Sequence, residues 1–248
     1  MIADGNRLPV CRTHTGCRGA HWKCSNHPKE AREPAPGSPP PKEPADVVHR
    51  RRPQRNRGPL SPRRPHRRSR PLGLAAFALT TFILSCANAG FISAEAEAAV
   101  FGVALFYGGL TQLAAGMWEF LKGNVFGATA FSSYGAFWLS FWYLVTYTAE
   151  EMGAERHVGV GIFLLAWTIF TVYMWFASTR ISAALFATFS VLLVAFVFLT
   201  LGALLEQTGL TRVGGYFGLA AAAGAWYTSA AGVLSTTFGR VVLPTGPR

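Results

Sequence analysis

The sequence predicts an all-α polytopic membrane protein, a six-transmembrane-helix bundle with a disordered basic N-terminal tail. Three observations lead there. Residues 1–70 hold 17 Lys/Arg and 5 Asp/Glu, a net charge of +12, while residues 71–248 hold 6 and 7, a net charge of −1. From Leu72 onward the chain is a series of apolar segments with short breaks, each close to the ~20 residues a helix needs to cross the hydrocarbon. One of these, "SAALFATFSVLLVAFVFLTLGALL", carries no charge at all. The basic overall charge thus belongs to the tail and implies no nucleic-acid partner.

The tail, residues 1–70, is rich in Pro, Arg and Gly, as in "PAPGSPPPKEP" and "RRRPQRNRGPLSPRRPHRRSR". It lacks apolar periodicity, so it cannot bury enough surface to offset the entropy of ordering, and it reads as disordered. It has no short apolar core of the secretory kind. The stretch "CRTHTGCRGAHWKCSNH" interleaves Cys11, His14, Cys17, His21, Cys24 and His27. Zinc favours such ligands, but these spacings fit no standard finger, and no metal site is assigned. A solvated basic tail and a start codon placed upstream of the true one are both open, since translated GC-rich DNA is rich in these residues.

Six spans follow in the second unit, residues 71–248: 72–92, 99–121, 126–147, 158–178, 182–205 and 214–236. Unpaired backbone groups are too costly in lipid, so each should be helical. Lys122, Arg180, Arg240 and Arg248 fall in breaks or ends on one side. Glu95, Glu97, the "EEMGAERH" loop and Glu206 with Arg212 fall on the other. The positive-inside rule then puts both termini in the cytoplasm of a multi-pass protein in the cytoplasmic (inner) membrane.

The third span is unusually polar. At about 100° per residue, Thr129, Ser132, Ser133, Ala136 and Ser140 form one stripe, while Gly127, Phe131, Tyr134 and Trp138 fall on the other side. Small and hydroxyl residues let helices approach closely, so the stripe reads first as a packing surface. The aromatic side faces lipid or lines a passage. In the first span, Phe77, Thr81, Leu84 and Asn88 share a face, and Asn88 should meet protein or water. Span two carries Gln112 and Glu119. Glu119 is the one carboxylate inside a predicted span, and it either pairs with Lys122 at the interface or serves the path. Span six, "GGYFGLAAAAGAWYTSAAG", has close-packing composition.

Enzyme readings fail. No GxSxG, HExxH or GxxxxGK[ST] motif occurs and there are no paired intramembrane aspartates, so no catalytic residue and no cofactor is assigned. No span has a central Lys to hold a chromophore, and the only histidine after residue 70 is His157, in a loop.

"PLGLAAF" at 71–77, "FYGGLTQLAAGMWEFLKGNVFGATAFSSYGAFW" at 106–138 and "FGRVVLPTG" at 238–246 resemble the acetate uptake transporter family. This family includes bacterial succinate–acetate permeases and their fungal relatives. The resemblance runs over 71–248. It implies a homohexamer of six-helix protomers, each moving acetate, and in some members succinate or related monocarboxylates, across the cytoplasmic membrane; because a bare anion loses its hydration in an apolar constriction, passage is expected to favour the protonated acid and to be proton-linked, as a symporter or as a channel. It implies a hydrophobic constriction at Phe77, Tyr134 and Leu192, and a substrate-size position at Ala225. Thr81, Asn88, Glu119, Thr129 and Ser133 are further path candidates. Two departures stand out. Arg68 and Ser69 occupy the family's Asn-Pro positions, and Ser85 stands where Asn is common. The lost Asn-Pro and the basic tail, of a kind that binds anionic lipid, keep a non-transporting sensor or scaffold open. A channel for another small solute, such as ammonia, is the third reading.

Overall fold

The computed structural model describes residues 70–148 and 150–246. The tail, its Cys/His stretch, Arg68 and Ser69 lie outside the described residues. Six long helical spans are present among the described residues. The first is α1 (Arg70–Asn88). After the short α2 (Ala94–Glu97), the second span runs through α3 (Ala99–Val103), a π-helical stretch (Ala104–Thr111) and α4 (Gln112–Leu121). Next come α5 (Val125–Tyr143), extended by a π-helical turn to Thr148, then α6 (Arg156–Ser178), α7 (Ala183–Leu204) and α8 (Thr208–Phe238).

The expected span limits hold to within a few residues except in α8, which begins at Thr208 rather than near Gly214. At 1.5 Å per residue it is about 46 Å long, more than the hydrocarbon thickness. Its first turns carry the exposed Arg212, ahead of the apolar run expected from residue 214. Five of the spans are long and apolar enough to cross a membrane by length and composition. The other, α5, is diluted by its hydroxyls and glycines.

The spans form a ring. α8 packs along both α1 and α7, α7 packs along α6, α4 packs along α5, and α1 also meets the second span. The α5–α6 seam is the thinnest backbone contact, and aromatic side chains fill it: Phe137 meets Phe163 and Trp167 at ring-centre distances of 5.5 and 5.3 Å. Close approach elsewhere depends on missing side chains. A Cβ at Gly215 would strike the backbone of Asn88 and Ala89, and one at Gly116 would strike Ser132. Within the hydroxyl stripe of α5, Ser132 therefore packs against α4, while Ser140 is exposed. The π-helical stretch was not visible in the sequence. Within it, Gly108 lies against Thr80 of α1 and Gly109 against Leu139 of α5.

Two features secure the end of the bundle where α1 begins. Gly239, in the left-handed region, stops α8. The chain then crosses to α7, where the Thr245 and Gly246 carbonyls accept from the Ala184 and Ala183 N–H groups at 3.1 and 2.8 Å. These donors belong to the first turn of α7 and have no partner within the helix. Tyr227 Oη donates to the Pro244 carbonyl at 2.7 Å and pins the strap to α8.

Replacing Gly215 by Ala should force α1 and α8 apart and destabilise the bundle by roughly 1–3 kcal/mol, the usual range for overpacking. Gly102→Ala, where a Cβ meets nothing within 4 Å, should be neutral. Thermal unfolding of the detergent-solubilised protein, followed by circular dichroism, compares the two.

Candidate functional site

The ring encloses two cavities of unequal size. The larger, of about 700 Å³, lies towards the end marked by Glu206, with Glu97, Arg156, His157 and Glu206 in its wall. The smaller, of about 40 Å³, lies towards Arg70 and is walled by Arg70, Gln112, Phe126, Leu185 and their neighbours. A water needs about 10–15 Å³ by the same kind of measure. The large cavity is therefore roomy enough for a hydrated small solute, and the small one for only a few waters.

Three residues wall both cavities: Phe77, Tyr134 and Leu192. They come from α1, α5 and α7, the three spans that run from the Arg70 end to the Glu206 end, and each sits near the middle of its helix. All three are buried. The Tyr134 and Phe77 ring centres are 5.8 Å apart. Phe170 meets the Tyr134 ring edge-on at 5.2 Å, and Trp167 and Phe189 flank it at 6.2 and 6.3 Å.

The Tyr134 hydroxyl is committed elsewhere. It lies 2.9 Å from Thr171 Oγ1. Thr171 donates its single hydroxyl proton to the Trp167 carbonyl at 2.7 Å, so Tyr134 is the donor of the pair. The bond ties the tip of the ring to α6 and leaves the ring itself to the neck. α6 supplies this anchor, which sequence reasoning missed. Its signal was present, since Thr168 and Thr171 alternate with Phe163, Trp167 and Phe170 at helical spacing.

The face of α1 read from the sequence, Phe77, Thr81, Leu84 and Asn88, lies wholly along the large cavity. The aromatic side of α5 divides between the two, with Gly127 and Phe131 on the small cavity, Trp138 on the large one and Tyr134 on both. Thr129 and Ser133 line neither cavity and are half-buried. Ala225 is fully buried in the core and also lines neither. Among the described residues, Thr81 Oγ1, Gln112 Oε1, Ser132 Oγ and Trp138 Nε1 are buried without a hydrogen-bond partner. Gln112 faces the small cavity and was not singled out for it by the sequence. Burial of Gln112, Ala115, Gly116 and Glu119 marks one face of α4.

Glu119 also lines neither cavity. Its side chain is 2% exposed, with Arg70 Nε 3.6 Å from Oε2 and Lys122 Nζ 3.5 Å from Oε1. The Asn124 side-chain amide donates to the same carboxylate, and Asn124 Oδ1 accepts from the Gly127 N–H at 3.3 Å, capping α5. One carboxylate thus joins the start of α1, the end of α4 and the start of α5. It stands behind Arg70 and Gly127, which wall the small cavity.

Residues 56–247 match the model of the GPR1/FUN34/yaaH family. The chain is 42% identical over 191 residues to acetate permease A of Emericella nidulans, covering 70% of this chain and 64% of that one. It is 36% identical over 179 residues to the succinate-acetate/proton symporter SatP of Escherichia coli, covering 71% of this chain and 93% of that protein. The chain therefore spans less than two thirds of the fungal relative and nearly all of the bacterial one. A solved structure of the bacterial acetate channel SatP superposes with a TM-score of 0.67 at 35% identity, covering 72% of this chain and 98% of that one.

The Glu119 junction makes a graded prediction. Glu119→Ala removes the buried carboxylate that the part-buried Asn124 amide, Lys122 and Arg70 share and should lower stability by about 1–3 kcal/mol, as loss of a hydrogen-bonding partner does. Arg70 is half exposed and regains water, so Arg70→Ala should cost under about 1 kcal/mol. Glu119→Gln keeps an acceptor for Asn124 and should fall between them. Melting midpoints of the three purified variants give the order.

Proposed function

The chain belongs to the GPR1/FUN34/yaaH family, and from that premise we propose that it carries acetate and related short monocarboxylates, with succinate as a larger candidate, through the neck at Phe77, Tyr134 and Leu192. One observation carries this reading. The residues that wall both cavities are those that family resemblance assigns to the substrate constriction. A solute passing between the cavities crosses between these three side chains.

The neck selects by chemistry as well as by width. Its rings and Leu192 offer a dehydrated ion nothing, and the one hydroxyl present is already donated to Thr171. Stripping water from a bare carboxylate there costs several kcal/mol, whereas the protonated acid loses far less. Short carboxylic acids titrate near the Asp and Glu side chains, at roughly pH 4–5. The neutral form is thus a minority at neutral pH and grows as pH falls, so uptake is proton-linked and rises in acid.

In this reading the Arg70 end, with Lys122 and Arg180, is cytoplasmic, and the large cavity opens to the outside of the inner membrane. The outer face of α6 exposes Ile162, Ile169, Tyr173 and Phe176. These side chains meet lipid or neighbouring protomers of a homohexamer, each protomer keeping its own path.

Uptake of labelled acetate into proteoliposomes holding the full chain tests the proposal. Saturable uptake, stimulated several-fold by an inward proton gradient, is expected, and Phe77→Ala and Tyr134→Ala should change its rate or selectivity. Folded protein that admits no more acetate than empty liposomes would leave a non-transporting sensor as the better reading. Uptake blocked by unlabelled ammonium but not by unlabelled acetate would point to another solute.

A further inference from the structure

Among the described residues that wall the small cavity, Arg70 alone carries a formal charge. Its side chain is 48% exposed, so it stands where the cavity meets water and a solute reaches it from there. A guanidinium offers five N–H donors and no acceptor. Glu119 Oε2 lies 3.6 Å from its Nε, a charge contact longer than an ordinary hydrogen bond. Among the described residues, no hydrogen bond engages the rest of the group.

The position of this arginine is fixed from two sides. The Pro71 carbonyl accepts from Ser229 Oγ at 2.6 Å, and a Cβ at Gly232 would strike the Pro71 ring, so the start of α1 is seated on α8. Glu119 Oε2, which faces Arg70 Nε, also lies 3.0 Å from where a Cβ at Gly127 would stand. Gly127 is in the wall of the small cavity, and the guanidinium is thereby placed at that wall. Arg70, Leu74 and Phe77 all line the cavity and fall at i, i+4 and i+7, on one face of α1. Along the helix Arg70 is about 10 Å from the neck residue Phe77. One helix face thus runs from a water-accessible cation to the constriction.

We infer that the Arg70 guanidinium is a docking site for short monocarboxylates, in their ionised form, at the mouth of the small cavity. Two parallel N–H donors match the two carboxylate oxygens, a fork that a lysine ammonium does not offer. The alkyl end of the substrate points towards Leu74 and the apolar wall. The neck turns back a bare anion, whereas Arg70 holds one where water still reaches it. The site therefore discriminates by charge and leaves discrimination by width to the neck. An ammonium ion, which has no acceptor to offer a donor, is excluded from it. This rests on the transport reading above and names the residue that meets the substrate at the Arg70 end of the path.

The test uses the full chain in detergent, which leaves both ends of the path open, and follows the melting midpoint at pH 7 against sodium acetate, with sodium chloride at matched ionic strength as the reference. Acetate should raise the midpoint of the wild type above the chloride reference and saturate. Arg70→Gln removes the charge and should raise the half-saturating acetate concentration about three- to tenfold, the effect of losing a charged hydrogen bond at a half-exposed site. Arg70→Lys keeps the charge without the fork and should fall between. Lys122 pairs with the same Glu119 but walls neither cavity, so Lys122→Gln should shift half-saturation less than about twofold. No acetate-specific shift in the wild type overturns the inference, and so does wild-type half-saturation in Arg70→Gln. A Lys122→Gln variant as impaired as Arg70→Gln also overturns it, because the effect would then run through the Glu119 junction. Labelled-acetate uptake into proteoliposomes separates the docking site from the transport reading. The expected shifts without any uptake keep the docking site and remove the transport reading; uptake with the same half-saturation in wild type and Arg70→Gln does the reverse.

Discussion

Everything in this bundle depends on helices approaching each other more closely than ordinary side chains allow. Lipid tails are as apolar as leucine, so no hydrophobic force drives one span against another, and contact itself must hold them. α8 is the clearest case. Gly215 brings it to the backbone of α1, and Gly214 brings it against Leu199 of α7. On the other side of the ring, Gly116 of α4 receives Ser132 of α5. With the small residues used at the helix contacts, the bulk of α1, α5 and α7 turns inward. The neck is a consequence of this division, as the large side chains have only the centre or the lipid left to them.

The centre is then asymmetric in both size and chemistry. Beyond Phe77, Tyr134 and Leu192 towards Glu206, the large cavity has Asn88, Glu97, Arg156 and His157 in its wall. Towards Arg70, the small cavity is almost wholly apolar apart from Gln112, Thr188 and Arg70 itself. Hydrogen bonding keeps the neck rigid. Because Thr171 is committed to its own backbone, the Tyr134 hydroxyl has a fixed acceptor and its ring a fixed place. The hydroxyl contact between Thr168 and Thr200, at 3.0 Å, joins α6 to α7 in the same manner. The ring of helices is thus stitched by hydroxyls wherever glycines do not already bring backbones together.

Charge has been kept out of this centre and collected at its ends. Glu119 is buried yet engaged by Arg70, Lys122 and Asn124, and so links three helix ends. The strap from Gly239 to Gly246 does the corresponding work for α7 and α8, and it gives the "FGRVVLPTG" segment a task that needs backbone carbonyls more than side chains. Both devices lie at the Arg70 end, beside the small cavity. That end is braced twice, while the Glu206 end opens into the large cavity through loops.

Composition and periodicity alone determined a good deal here. Six apolar runs, separated by charges too costly to bury in lipid, leave no other architecture. Helical spacing put Phe77, Thr81, Leu84 and Asn88 on one face of α1 and separated Phe131, Tyr134 and Trp138 from the hydroxyl stripe. Both follow from local geometry, which needs no knowledge of neighbours. What the tertiary structure decided is which face meets which. Periodicity does not say whether a face looks to lipid, to a neighbour or to a cavity, so Thr129 and Ser133, on a stripe that reads first as a packing surface, stay path candidates beside Thr81 and Asn88. The structure sets Ser132 of that stripe against Gly116 of α4 and leaves Thr129 and Ser133 off both cavities. The same holds for Thr171, 37 residues from the tyrosine it anchors, and for the π-helical stretch that seats Gly108 on Thr80. Such pairings depend on how whole helices dock, and docking is a property of surfaces brought together, which no single stretch of sequence contains.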